Sequence, residues 1–310
     1  VTEPSREAAR GLGLVLLSTL AFGVLPILGK AAYGAGVRVL PFLAWRYLVA
    51  ALLFTLLLGR RPLPWRTRLR LWAIGFVFVF NSVAYFLALV RTSASTVSLL
   101  LFSYPVIVAL LAAAAGLERL TLRGLLAAVV AFAGCALTAA GGGGVALAGA
   151  GAGAALALLA ALVYASYVVL VSRFARDASA PVLAQHLTQA SVVVCGGLAL
   201  ATGGLGVPFT ARAWLPVLAA GALSTVVAFF AFLAGMALLG PTRASVVSSF
   251  EVVVTLLLAF ALLGERLDAR QWTGAALILG AVFGQSVGAL RRVPSPGTAG
   301  RLAREDPDPR

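Results

Sequence analysis

Apolar residues in this chain come in long unbroken runs, neither the one-sided stripe of a surface helix nor the alternation of a half-buried strand. Each run is about 20 residues long, enough as helix to cross the roughly 30 Å hydrocarbon core of a bilayer. Ten such spans can be marked, and they are numbered 1 to 10 here: 12–31, 40–58, 71–90, 94–115, 122–140, 153–172, 182–203, 213–236, 242–263 and 271–290. Strands of a membrane barrel would be shorter and would alternate in polarity. Between spans 5 and 6, Gly141-Gly142-Gly143-Gly144 continues through Ala and Gly to Gly153 without a charge. Such low-complexity sequence is a flexible joint, and it divides the spans five and five.

The two sets of five share a register. Leu117-Glu118-Arg119-Leu120 closes span 4, and Gly264-Glu265-Arg266-Leu267 closes span 9, 147 positions later. At that offset Arg123 falls on Arg270, Ala84 on Ala231, Ser98 on Ser245 and Val106 on Val253. Pro41-Phe42-Leu43-Ala44-Trp45-Arg46 opens span 2 as Pro181-Val182-Leu183-Ala184-Gln185-His186 opens span 7, and Trp72 and Trp214 open spans 3 and 8. An odd number of spans per copy forces the second copy to enter from the opposite face. The expected fold is therefore an all-α integral membrane protein, ten transmembrane helices forming two inverted five-helix repeats around a midplane site. The expected divisions are an N-terminal segment 1–11, the first repeat 12–140, the Gly-rich linker 141–152, the second repeat 153–290, and a disordered tail 291–310 rich in Pro, Gly and charge.

Composition agrees. With 61% hydrophobic and 11% charged residues and a mean hydropathy of +1.03, the chain lacks the charge to cover a soluble domain of 310 residues. The net charge of +14 raises nucleic acid as a partner, but the basic residues form no single patch and that partner is not expected. They lie between spans, 14 on the side of the N-terminus and 6 on the other, with Arg60–Arg70 the densest cluster. The positive-inside rule then places both termini in the cytoplasm. Cys135 and Cys195 lie within apolar spans and read as packing residues. No small-residue cleavage pattern follows the first charges, so span 1 is expected to be a retained helix.

Arg46 early in span 2, and long apolar helices ending in Gly264 to Leu267, resemble the ten-helix EamA-type branch of the drug/metabolite transporter superfamily. The resemblance covers about residues 12–290. Where that family often carries Glu-Pro in span 9, this chain has Glu251-Val252, and the first copy has Tyr104-Pro105, so no proline kink is expected in span 9. The resemblance implies a multi-pass carrier of the bacterial inner membrane that exports small metabolites, amino acids first, by alternating access and without a cofactor. A multidrug or nucleotide-sugar carrier of the same superfamily is the alternative. The chain has no Gly-x-x-x-x-Gly-Lys-Ser/Thr loop, so a separate gradient or the substrate's own would drive transport. An intramembrane enzyme is the reading from another class. It would need a Gly-x-Ser-x-Gly nucleophile with a partner His, or Asp-rich metal motifs; the one histidine is His186, and the spans contain no Asp.

Glu251 is the sharpest candidate for function. It lies about 9 residues into span 9, roughly 13 Å deep, where an ionised acid costs about 2.5–3.5 kcal/mol. It must face a wet cavity, find a partner or hold its proton. It could meet a substrate ammonium or couple to protons. Asn81 and Tyr85 of span 3, Ser103 and Tyr104 of span 4, Tyr164 of span 6 and Ser248 of span 9 could complete a cavity with aromatic walls and few polar points. Interhelical hydrogen bonding is the simpler explanation of the serines, and interface anchoring competes on equal terms for the tyrosines. Arg46, Gln185 and His186 are gate or coupling candidates at opposite ends of the carrier. Arg46 could also anchor a carboxylate, against a reading in which it merely snorkels. Pro26 and Pro105 are hinge candidates, since each removes a backbone donor. Glu118-Arg119 and Glu265-Arg266 read as helix ends anchored at the interface. Gly280 and Gly284 favour close packing within a monomer.

Overall fold

A computed structural model of the chain describes residues 3–59, 63–91, 97, 100–140, 151–175, 178–208, 210–263 and 268–291. The linker at 141–150, the tail from 292, Arg60-Arg61 and Glu265-Arg266 lie outside these residues. Among the described residues the chain is helical throughout, and five of its helices are long and apolar enough to cross a membrane by length and composition.

The ten spans appear in order. Span 1 is made by Glu3–Gly23 and Leu25–Gly34, span 2 by Val39–Leu58, span 3 by Trp65–Arg91. Tyr104–Ala114 forms the described part of span 4, and Leu122–Ala140 forms span 5. Gly151–Phe174 and Ala180–Ala201 are spans 6 and 7. Span 8 runs through Ala211–Gly221, a π-helical stretch Ala222–Val227, and Ala228–Leu239. Pro241–Ser248 and Phe250–Leu263 build span 9, and Ala269–Arg291 span 10.

The breaks have local causes. In span 1 the helix restarts at Leu25 with Pro26 in its first turn, where the missing N–H does no harm. Pro105 occupies the same place in Tyr104–Ala114. Span 9 breaks as well, at Ser249, contrary to what its lack of proline predicts. Serines replace the ring: Ser245 Oγ donates to the Thr242 carbonyl and Ser248 Oγ to the Ala244 carbonyl, both at 2.8 Å, and such back-bonding loosens and bends a helix. The tight turn from span 8 to span 9 needs Gly240 at φ +82°, in the left-handed region that favours glycine.

Side-chain contacts fix how the helices run. Span 2 lies antiparallel to span 7: Arg38 donates to the Gly203 carbonyl at 2.6 Å, Trp45 Nε1 to Leu205 at 2.9 Å, and, at the other end, Gln185 to Thr55 Oγ1 at 3.1 Å. These two spans are repeat equivalents, so the contact itself shows the inversion. Span 1 is antiparallel to span 8, with Gly11 at Leu239, Val15 at Gly235 and Ser224 Oγ bonded to the Ala21 carbonyl at 2.6 Å. Its symmetry image pairs span 3 with span 6 through Arg70 and the Phe174 carbonyl, Phe78 and Tyr167, and Asn81 and the Ala160 carbonyl. Spans 5 and 10, and spans 4 and 9, complete the pairing. Close approach depends on small residues, as expected where lipid offers no hydrophobic drive. A Cβ on Gly235 would stand 2.6 Å from Val15 Cγ2. Large apolar side chains such as Leu56, Phe80 and Phe283 face outward, toward lipid.

Candidate functional site

Aromatic rings form a continuous line through the bundle. Tyr104 meets Tyr164 edge-on with centroids 4.8 Å apart, Tyr164 meets Tyr167 at 5.7 Å, and Tyr167 meets Phe78 at 5.1 Å. Phe78 then contacts Tyr47 at 6.4 Å and Phe229 at 5.1 Å. Spans 2, 3, 4, 6 and 8 supply these rings. The sequence pointed to Tyr104 and Tyr164 but not to Phe78, Tyr47 and Phe229, because an aromatic in an apolar run carries no signal of which neighbour it will face.

Glu251 stands at one end of the line. It lies in the first turn of the helix that restarts after Ser249, half-buried, and within electrostatic reach of Tyr104, Tyr164 and Cys135. Tyr104 donates its hydroxyl to the Ser245 carbonyl at 3.3 Å, with Ser248 beside it, which clips span 4 to the serine-bent part of span 9. The Ser249 hydroxyl is fully buried and has no partner. No arginine or lysine among the described residues pairs with Glu251. The structure thus brings Tyr104, Tyr164, Ser248 and Glu251 together.

Arg46 stands at the other end. Its side chain is 4% exposed, which rules out a snorkelling head group. Nη2 donates to its neighbour's hydroxyl, Tyr47, at 2.6 Å, and that hydroxyl shares a second bond with Ser82 at 2.9 Å. The guanidinium carbon sits 4.4 Å from the centroid of the Tyr47 ring. Nε and Nη1 have no partner. A desolvated cation–π contact offsets about 2 kcal/mol, whereas each buried group left unsatisfied costs about 1–3 kcal/mol. By that comparison the local contacts orient Arg46 without satisfying it.

The remaining candidates are elsewhere or already engaged. Asn81 spends its amide on the Ala160 carbonyl at 2.9 Å, tying span 3 to span 6. Tyr85 packs in a separate apolar cluster with Ala88, Val97 and Ala157. Ser103 turns its hydroxyl back to the Leu100 carbonyl at 2.7 Å. Gln185 bonds Thr55, and His186 Nδ1 lies 2.8 Å from the Val182 carbonyl of its own helix, so neither meets Arg46 or Glu251. Pro26 and Pro105 mark helix breaks, the first exposed and the second buried. Glu118 lies beyond the helical part of span 4 and packs against Gly240. Two crevices, of about 470 and 320 Å³, lie at the perimeter; Gln189, Thr55 and Trp72 line the smaller one. Among the described residues no group of His, Cys, Asp and Glu is placed to hold a metal ion.

The described side chains thus set the buried Arg46 and the half-buried Glu251 apart from each other, with a wall of rings between them. A model of the EamA-like transporter family matches residues 9–140 and again residues 151–287. The chain is 28% identical over 300 residues to the uncharacterized transporter YcbK of Bacillus subtilis (strain 168), covering 92% of this chain and 96% of that protein. It also superposes on a solved crystal structure with a TM-score of 0.75 at 21% identity, over 91% of this chain and 98% of the other, a likeness of fold.

Proposed function

Because the chain belongs to the EamA-like transporter family, we propose that it exports small metabolites, amino acids foremost, from the cytoplasm by alternating access. The observation that carries this reading is Glu251. It is an acid placed at the restart of a broken span, half-buried, beside two tyrosines that meet edge-on, and with no cation on it among the described side chains. Intramembrane ionisable groups of this kind mark substrate or proton pathways. A substrate ammonium would supply the missing positive charge, and the Tyr104 and Tyr164 rings would flank an apolar body. Tyr104, Tyr164 and Ser248 are then the substrate contacts. Asn81 ties span 3 to span 6, Ser103 bonds back to Leu100, and Tyr85 packs in its own apolar cluster. Gln185 and His186 belong to a gate on the N-terminal face, while Pro26 and Pro105 allow the halves to flex. With both termini cytoplasmic, the Arg38 contacts to the end of span 7 close the outer face.

The test is flux in proteoliposomes. Glu251→Gln keeps the shape and removes the charge. It should lower amino-acid transport by about tenfold or more, the cost of one charge-assisted bond, with monodisperse elution retained. Wild-type flux in this variant would remove Glu251 from the mechanism.

A further inference from the structure

We infer that Arg46 is a receptor for a single carboxylate on the transported solute, a step that rests on reading the chain as a metabolite carrier. Its guanidinium is 4% exposed, and its Nε and Nη1 have no partner, leaving three N–H donors unspent. A buried group normally finds its hydrogen bonds, and an exception calls for a ligand or a strained role. Tyr47 holds the cation in place through its ring at 4.4 Å and its hydroxyl at 2.6 Å, and Ser82 fixes that hydroxyl in turn. The donor is thus preorganised, as a receptor must be.

The competing explanations meet specific obstacles. A snorkelling arginine would place its head in water. A gate ion pair would need an acid, and Glu251, the one acid within the spans, belongs to the opposite end of the ring line.

Charge selects the class of ligand. Arg46 brings one positive charge, and the basic side chains of Arg38, Arg91 and Arg212 are exposed at the ends of the spans. A phosphate monoester carries about −1.5 to −2 and calls for more than one cation. A carboxylate matches one guanidinium in charge and in planar shape. The surroundings are aromatic, with Tyr33, Tyr47 and Phe78 in reach, so the body of the solute should be apolar.

The experiment compares L-phenylalanine, 3-phenylpropionate and L-phenylalaninamide as probes, using the full chain in proteoliposomes with Arg46, Arg46→Gln and Arg46→Lys. The wild type should move the two carboxylates with KM about tenfold or more below that of the amide, and Arg46→Gln should abolish that preference while leaving amide transport within about twofold. Arg46→Lys should fall between, since it keeps the charge and loses the planar donors. Amide transport itself reports that each variant is folded. Equal loss of carboxylate and amide transport in Arg46→Gln would assign the residue to gating or packing and overturn the inference. So would a wild type that moves all three probes alike. Transport of 3-phenylpropionate without L-phenylalanine would uphold the carboxylate receptor while refuting amino-acid export. Transport of L-phenylalanine and its amide with no dependence on Arg46 would do the reverse.

Discussion

A tyrosine hydroxyl inside a bilayer has to find an acceptor, and where Tyr104 finds one decides what Glu251 can do. The Tyr104 hydroxyl reaches the Ser245 carbonyl at 3.3 Å, while its ring stands edge-on to Tyr164 at 4.8 Å. The ring, not the long hydrogen bond, is the larger contribution. Removing the hydroxyl by Tyr104→Phe should cost about 0.5–1.5 kcal/mol of unfolding free energy in detergent, and Tyr104→Ala about 3–5 kcal/mol because it leaves a cavity. If the two variants unfold alike, the hydroxyl is the main tie and the ring wall contributes little. The same partition applies to transport. With the ring kept, Tyr104→Phe should preserve the face presented to a substrate beside Glu251.

Helix breaks show what a sequence discloses at the next scale up. Proline marks its own break: Pro26 and Pro105 each sit in the first turn after an interruption, because the missing N–H cannot close a ladder from further back. The break in span 9 was not legible, because it has no single cause. Ser245, Ser248 and Ser249 are common residues, and only the observed back-bonds to Thr242 and Ala244 reveal that they loosen the turn. The π-helical stretch in span 8 was hidden for the same reason. Thr225 Oγ1 bonds the Ala220 carbonyl at 2.9 Å, a choice made by packing against span 1 and not by composition. The break in span 9 is testable as an element. Ser245→Ala with Ser248→Ala restores plain helix chemistry while keeping small side chains. Amide hydrogen exchange across 249–254 should slow, and transport should slow with it if bending there is part of the cycle. Unchanged exchange would mean that tertiary packing, and not the serines, makes the break.

For the molecule as a whole, the duplication made the architecture readable and left the site half-read. The apolar runs gave ten spans in advance, and matching Pro41 with Pro181 and Glu118 with Glu265 gave their repeat correspondence, because loops drift while spans keep their length; which spans touch was not in the sequence. Glu251 was legible because a carboxylate in an apolar run has few innocent explanations. Arg46 was legible as a residue that could anchor a carboxylate or guard a gate, but no pattern foretells that two of its nitrogens stay unpartnered. The antiparallel contact of span 2 with span 7 fixes the inversion inside the bundle: Arg38 meets Gly203 at one end and Thr55 meets Gln185 at the other. It does not by itself say which face looks inward; the excess of basic residues on the N-terminal face supports the proposal that this face is cytoplasmic. Arg123 and Arg270 are repeat equivalents, both exposed, on opposite faces of such a bundle. With the buried Cys135 and Cys195 replaced by alanine, Arg123→Cys should react with a membrane-impermeant maleimide only in opened or inverted vesicles. Arg270→Cys should react in intact cells stripped of their outer layer. Labelling of both from one side would break the inverted arrangement, and exchange of the two patterns would keep the arrangement but turn the carrier over. The first pattern is the one the proposal of cytoplasmic termini calls for, and it would put the proposed Gln185 and His186 gate on the cytoplasmic side.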